Sequence, residues 1–118
     1  ASRYTAFTIK ANGTLSEKRI WAETPGRLPD GCCLDEEGAI WFADAIRPEI
    51  VRLHENGEIS RTITLPETSG RAFACMLGGE KGNTLFALTA QTDPQSGHRP
   101  GEGAIWQTNV EIPHAGIP

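Results

Sequence analysis

Asp30 lies between Pro29 and Gly31, just ahead of an apolar run, and carries the most suggestive carboxylate in the chain. A carboxylate fixed on rigid backbone at a strand entrance can hold a hard metal ion. Asp between Pro and Gly is also an ordinary turn residue, because its side chain satisfies nearby backbone donors. The rest of the chain decides between these roles. Asp44, Arg47, Arg71 and His98 are the further candidates, all as substrate contacts. Asp44 ends a strand and could orient a substrate. Arg47 and Arg71 could meet an anionic group. His98 sits in the segment Gln91 to Glu102, and a histidine side chain suits acid–base chemistry near neutral pH.

Other chemistries lack their residues. No serine has the Gly-x-Ser-x-Gly context of a nucleophile elbow. The run Gly78-Gly79-Glu80-Lys81-Gly82 lies between strands with no helix after it, so it is not a phosphate loop. Asp35-Glu36-Glu37 lacks the alternating oxygen ligands of a calcium loop and reads as a tight turn. The three cysteines show no Cys-x-x-Cys spacing and no histidine cluster, which argues against structural zinc and for reduced, partly buried thiols.

The elements that must position these groups are strands. Apolar residues alternate with a period of two almost throughout, and no helical pattern of useful length competes. Asn12-Gly13 and Asn56-Gly57 are hairpin signals 44 positions apart. On that offset Phe7 falls on Val51, Ile9 on Leu53 and Leu15 on Ile59. The run Ala39 to Ala45 matches Thr84 to Ala90 at an offset of 45. Nine strands are predicted, near 4–10, 15–22, 31–35, 39–44, 49–54, 59–65, 72–77, 84–89 and 103–110.

Four short strands repeating every 40–45 residues make a β-propeller blade. The 118 residues therefore supply about two and a half to three blades of an all-β fold. A closed ring needs at least about four, so the chain is expected to be part of a ring, completed by missing N-terminal blades or by self-association through open sheet edges. The lack of an initiator Met and of a signal-like start predicts a cut or processed N-terminus. Within a blade, strand a crosses the disc, b returns, c crosses again and d comes back. The d–a and b–c loops therefore share one face, and the a–b and c–d turns share the other. This places Pro29-Asp30-Gly31, as a d–a loop, on one rim with Ala45–Pro48, Glu67–Arg71 and the long loop Gln91–Glu102. Trp21, Trp41 and Trp106 fall on strands and read as packing between blades.

Net charge is −4 and the 11 basic residues are scattered, which argues against nucleic acid or an anionic membrane surface as partner. No apolar stretch approaches the roughly 20 residues of a membrane helix. A cytoplasmic location is expected.

Leu28-Pro-Asp-Gly-Cys-Cys-Leu-Asp-Glu-Glu-Gly-Ala-Ile-Trp-Phe-Ala-Asp44 resembles a segment of the SMP-30/gluconolactonase family. So do Ile50–Leu53 with Thr62–Pro66, Phe73–Gly79 with Asn83–Phe86, and the end from Gly103-Ala-Ile-Trp106 to Pro118. The resemblance implies that residues 1–118 are the C-terminal portion of a six-bladed propeller with one divalent metal in its channel. It implies hydrolysis of sugar lactones by a metal-activated water. Calcium is the expected ion, with zinc or manganese as alternatives. Of the family's metal ligands only one maps here, onto Asp30, as ligand and as catalytic base. The Glu and Asn ligands would lie upstream, so the 118 residues alone are expected to be inactive. The alternative is a non-catalytic propeller fragment that binds a ligand or a partner.

Overall fold

The two Asn-Gly turns share one set of hydrogen bonds, 44 positions apart. Lys10 N donates to Thr14 O (2.9 Å) and Gly13 N to Lys10 O (2.8 Å); His54 N donates to Glu58 O (2.9 Å) and Gly57 N to His54 O (2.9 Å). In both, the Asn side chain accepts from the backbone two residues on, at 3.1 Å for Asn12 and 2.9 Å for Asn56. Gly13 and Gly57 take φ of 82° and 86°, a left-handed backbone that a side chain would strain. The repeat is thus structural as well as sequential.

The structure, a computed structural model, describes residues 2–93 and 97–116, with side chains described outside 93–101. The described residues form nine strands, as expected: β1 (Arg3–Ile9), β2 (Leu15–Glu23), β3 (Pro29–Leu34), β4 (Ile40–Asp44), β5 (Glu49–Leu53), β6 (Ile59–Thr64), β7 (Arg71–Gly78), β8 (Thr84–Asp93) and β9 (Gly97–Asn109). They make three antiparallel sheets in chain order: β1-β2, β3-β4-β5-β6 and β7-β8-β9. The middle sheet is a whole four-stranded blade. The first contributes two strands of a blade and the last three. This is part of a β-propeller.

The core lies in the two seams between sheets. Along β4, Trp41 and Ala43 turn toward the third sheet while Phe42 turns toward the first, as the period of two dictates. The middle blade is therefore buried on both faces, with Trp41, Phe42, Ile50, Val51 and Leu53 at most 1% exposed. Each such side chain contributes about 1.5–3 kcal/mol by leaving water. Trp21 packs against the first seam and Trp106 against the second, where its Nε1 donates to Thr89 Oγ1 at 2.9 Å.

Two loop expectations are corrected. Pro29-Asp30-Gly31 is not the d–a loop but the first part of β3, with Pro29 opposite Asp44 and a register shift before Cys32. The d–a loop itself spans Thr24–Leu28. Pro at the first residue of a strand gives up no ladder bond, so the strand can start there. Nor is Gln91–Glu102 a long loop. β8 continues to Asp93 and β9 starts at Gly97, with Thr92 opposite His98 and Asp93 opposite Gly97. That segment is a hairpin arm, and residues 94–96 lie outside the described ones.

After β9 the chain crosses back to the middle blade. Val110 N donates to Asn83 O (2.9 Å), His114 N to Gly82 O (2.9 Å), Glu36 N to Pro113 O (2.8 Å) and Ala115 N to Leu34 O (3.1 Å).

Candidate functional site

Asp30 is exposed, and its carboxylate makes no hydrogen bond or ion pair among the described residues. Its backbone is fixed all the same. Pro29 before it pairs with Asp44, and the Gly31 after it lies so close to β7 that an added Cβ would come within 2.8 Å of Ala74 Cα. A carboxylate with free oxygens on immobile backbone can accept a proton or offer oxygen ligands.

Beside it is a charged clamp. Asp44 is fully buried. Its Oδ2 accepts from Arg27 Nη1 at 3.0 Å and from Arg47 Nη1 at 3.2 Å, and its Oδ1 from the backbone N–H of Leu28 and Ile46 at 3.2 Å each. Arg27 Nη1 also reaches Glu49 Oε2 at 2.5 Å, and Arg47 Nη1 reaches Gly26 O at 2.7 Å. The clamp ties the d–a loop of one blade junction to the b–c loop of the middle blade. Asp44 offers no surface to a substrate in this arrangement; it holds two arginines at the rim. Arg47 is half-exposed and Arg71, at the start of β7, is exposed. Ala72 N donates to Arg47 O at 3.4 Å, which sets the two arginines on adjoining backbone. Asp30, Asp44, Arg47 and Arg71 thus share one rim. His98 is in the hairpin arm, and its side chain lies outside the described residues. Arg27 and Glu49 were not foreseen. The rule that places d–a and b–c loops on one face would have found Arg27.

The opposite face holds a second buried pair. Asp35 is fully buried, and its Oδ2 accepts from Arg52 Nε at 2.7 Å. Arg52 also donates to Glu37 Oε2 at 2.8 Å and Ser60 Oγ at 3.2 Å. The Asp35 hydrogen bond pushes the Arg52 pKa up. The Asp35–Glu37 run is thus a turn anchored by a buried arginine. Among the described residues no three His, Cys, Asp or Glu side chains converge to hold a metal ion. Asp30 therefore fits a metal only as one oxygen arm.

The family model for the SMP-30/Gluconolactonase/LRE-like region matches residues 1–91. The chain belongs to this family. Among curated members it is similar to 6-deoxy-6-sulfogluconolactonase of Pseudomonas putida, 29% identical over 110 residues, covering 90% of this chain and 37% of that protein. It is 30% identical over 101 residues to regucalcin of Oryctolagus cuniculus, covering 80% of this chain and 33% of that protein. A solved luciferin-regenerating enzyme superposes with a TM-score of 0.76 at 22% identity, covering 96% of this chain and 40% of that one, and so shares the fold. The chain spans about a third of the length of the curated SMP-30 family members it matches.

Proposed function

We propose that this chain is the C-terminal part of a lactone hydrolase acting on sugar lactones, with Asp30 at the reacting end. Family membership and the similarity to a protein named as a sulfogluconolactonase support the reaction class. The observation that carries the assignment of Asp30 is its exposed carboxylate, free of partners, on backbone held by β4 and β7.

Hydrolysis adds one water across the ring ester. Asp30 accepts a proton as the water oxygen bonds to the carbonyl carbon. The ring C–O bond then breaks, and the departing oxygen leaves as a hydroxyl with that proton. Arg47, Arg71 and His98 are the candidates for orienting the substrate, with Arg47 held by Asp44. Asp30 also suits one oxygen position on a hard divalent cation, calcium first and zinc or manganese as alternatives. Such an ion, when bound, would polarise the carbonyl and make water more acidic. Its other ligands would come from further blades. Apolar side chains at Phe7, Ile9, Leu15 and Ile20 on the first sheet, and Leu88 and Ile105 on the last, are exposed surfaces that such blades, or another copy, would cover. Three free thiols suit a reducing, cytoplasmic setting.

A second reading, a non-catalytic ligand-binding or interaction module, draws on the lack of a metal-holding cluster among the described residues. Acid release from gluconolactone, with calcium and with a chelator, separates the two. Calcium-dependent hydrolysis by a polypeptide with the whole ring, and little or none by these 118 residues alone, is expected. No hydrolysis by the whole ring would favour the module. Robust turnover by the 118 residues as a monomer would mean that the site lies elsewhere.

A further inference from the structure

The seam between the middle blade and the last contains a thiol pair. Cys75 of β7 is buried in it, with Sγ 3.3 Å from Trp41 O and 3.6 Å from Gly31 O. Both carbonyls flank Cys33: Trp41 is its partner across the β3–β4 ladder, and Gly31 precedes it by two residues. Cys33 packs against the same buried cluster, of which Cys75 is a member. Their strands approach closely nearby, at Gly31, two residues before Cys33, and at Ala74, next to Cys75. Disulfides need such an approach of the two Cα atoms, about 4.4–6.8 Å.

The two sulfurs differ in access. Cys33 is half-buried and lines a pocket of about 420 Å³ together with Cys32, Leu34, Ile40 and Met76. Cys75 has almost no exposed surface. Their acidities differ in the same sense. The neighbouring Cys75 thiol holds Cys33 below its ordinary range, while Cys33 and burial push Cys75 up. Cys32 is exposed on the neighbouring position, and partial desolvation pushes its thiol up. Of the pair only Cys33 lines the pocket, so Cys33 is the thiol that meets an oxidant first.

We propose that Cys33 and Cys75 are a peroxide-responsive pair: Cys33 is oxidised through the pocket, and Cys75 resolves it as a disulfide that staples β3 to β7. The Cys33 sulfur attacks one oxygen of hydrogen peroxide. An S–O bond forms, the O–O bond breaks, and the second oxygen leaves as water with the thiol proton. The Cys75 sulfur then attacks the Cys33 sulfenic sulfur. The S–S bond forms, and the hydroxyl leaves as water with the Cys75 proton. Two electrons pass from the thiols to the peroxide, and a dithiol reductant reverses the change. The proposal does not rest on the lactone reaction, since its chemistry uses neither Asp30 nor the rim arginines.

Treatment of the full chain with hydrogen peroxide, followed by thiol titration in denaturant and peptide mapping, tests it. Titratable thiols are expected to fall from three to one per chain. Tryptic peptides 28–52 and 72–81 are expected to be joined in the wild type and in Cys32→Ala, and dithiothreitol to separate them. Cys33→Ala should keep both its thiols through the same treatment. Three surviving thiols in the wild type, a link through Cys32, or Cys33 advancing to sulfinic acid while Cys75 stays free would each overturn the proposal. The wild type and Cys32→Ala decide the matter even if Cys33→Ala folds poorly.

Discussion

Arg27 Nη1 lies 3.0 Å from the fully buried Oδ2 of Asp44, so the loop between blades is fastened to the end of β4 by a charge pair out of water. Taking away one member of a buried pair leaves the other charge uncompensated, typically at several kcal/mol. Asp44→Ala is expected to lower stability by about 3 kcal/mol in urea unfolding. Arg71→Ala, at an exposed position, should change it by less than about 0.5 kcal/mol. Equal effects of the two would show that the clamp contributes nothing.

On the other face the Arg52 guanidinium uses Nε, Nη1 and Nη2 for three separate partners. A lysine ammonium is a single point and cannot serve that fork. Arg52→Lys is therefore expected to cost about 2 kcal/mol, because the buried Asp35 loses its Nε–H donor. Differential scanning calorimetry would reveal it as a lower Tm, and an unchanged Tm would contradict the role given to the fork.

Gly31 permits a close approach of β3 to β7. A methyl group there would meet backbone on the facing strand, at 2.8 Å from Ala74 Cα and 2.9 Å from Phe73 O. Backbone cannot yield as a side-chain tip can, so Gly31→Ala should destabilise by about 1–3 kcal/mol. It should also shift Asp30, its neighbour. Unfolding midpoints of the two proteins would test the first effect.

Tyr4 and Cys75 set an alkaline limit. Burial raises the Tyr4 phenol, and the neighbouring Cys33 thiol, followed by burial, raises the Cys75 thiol. Both groups keep their protons in the folded chain at a pH where the unfolded chain releases them. Above the ordinary values of 9.0 for Cys75 and 10.0 for Tyr4 the unfolded state binds fewer protons, so stability falls as pH rises. Tyr4→Phe removes one of the two groups and should flatten that fall. Urea midpoints measured from pH 8 to 11 would show it, and parallel curves for the two proteins would exclude Tyr4 as a cause.

The strands could be read from the chain because two strong local signals agree: a period of two in apolar residues, and Asn-Gly pairs that enforce tight hairpins. The shared rim of Asp30, Asp44, Arg47 and Arg71 followed from blade topology alone. What could not be read was pairing at a distance. Asp44 and Arg27 are 17 positions apart, as are Arg52 and Asp35, and nothing local distinguishes a buried aspartate from a solvated one. The start of β3 was missed because Pro-Asp-Gly is a turn signal, and here it is pinned into a strand by Asp44 opposite and β7 alongside. The hairpin arm was missed because Gly, Pro and polar residues from 94 onward mask the ladder that His98 makes with Thr92.

The role of Asp30 is tested most directly by one comparison, lactone turnover by the whole-ring polypeptide with Asp30 and with Asp30→Asn. Asparagine keeps the size and one oxygen but cannot take a proton. A loss in kcat of about 10²–10⁴-fold, with the fold intact by circular dichroism, is the expected result. Turnover and calcium dependence unchanged in Asp30→Asn would contradict it.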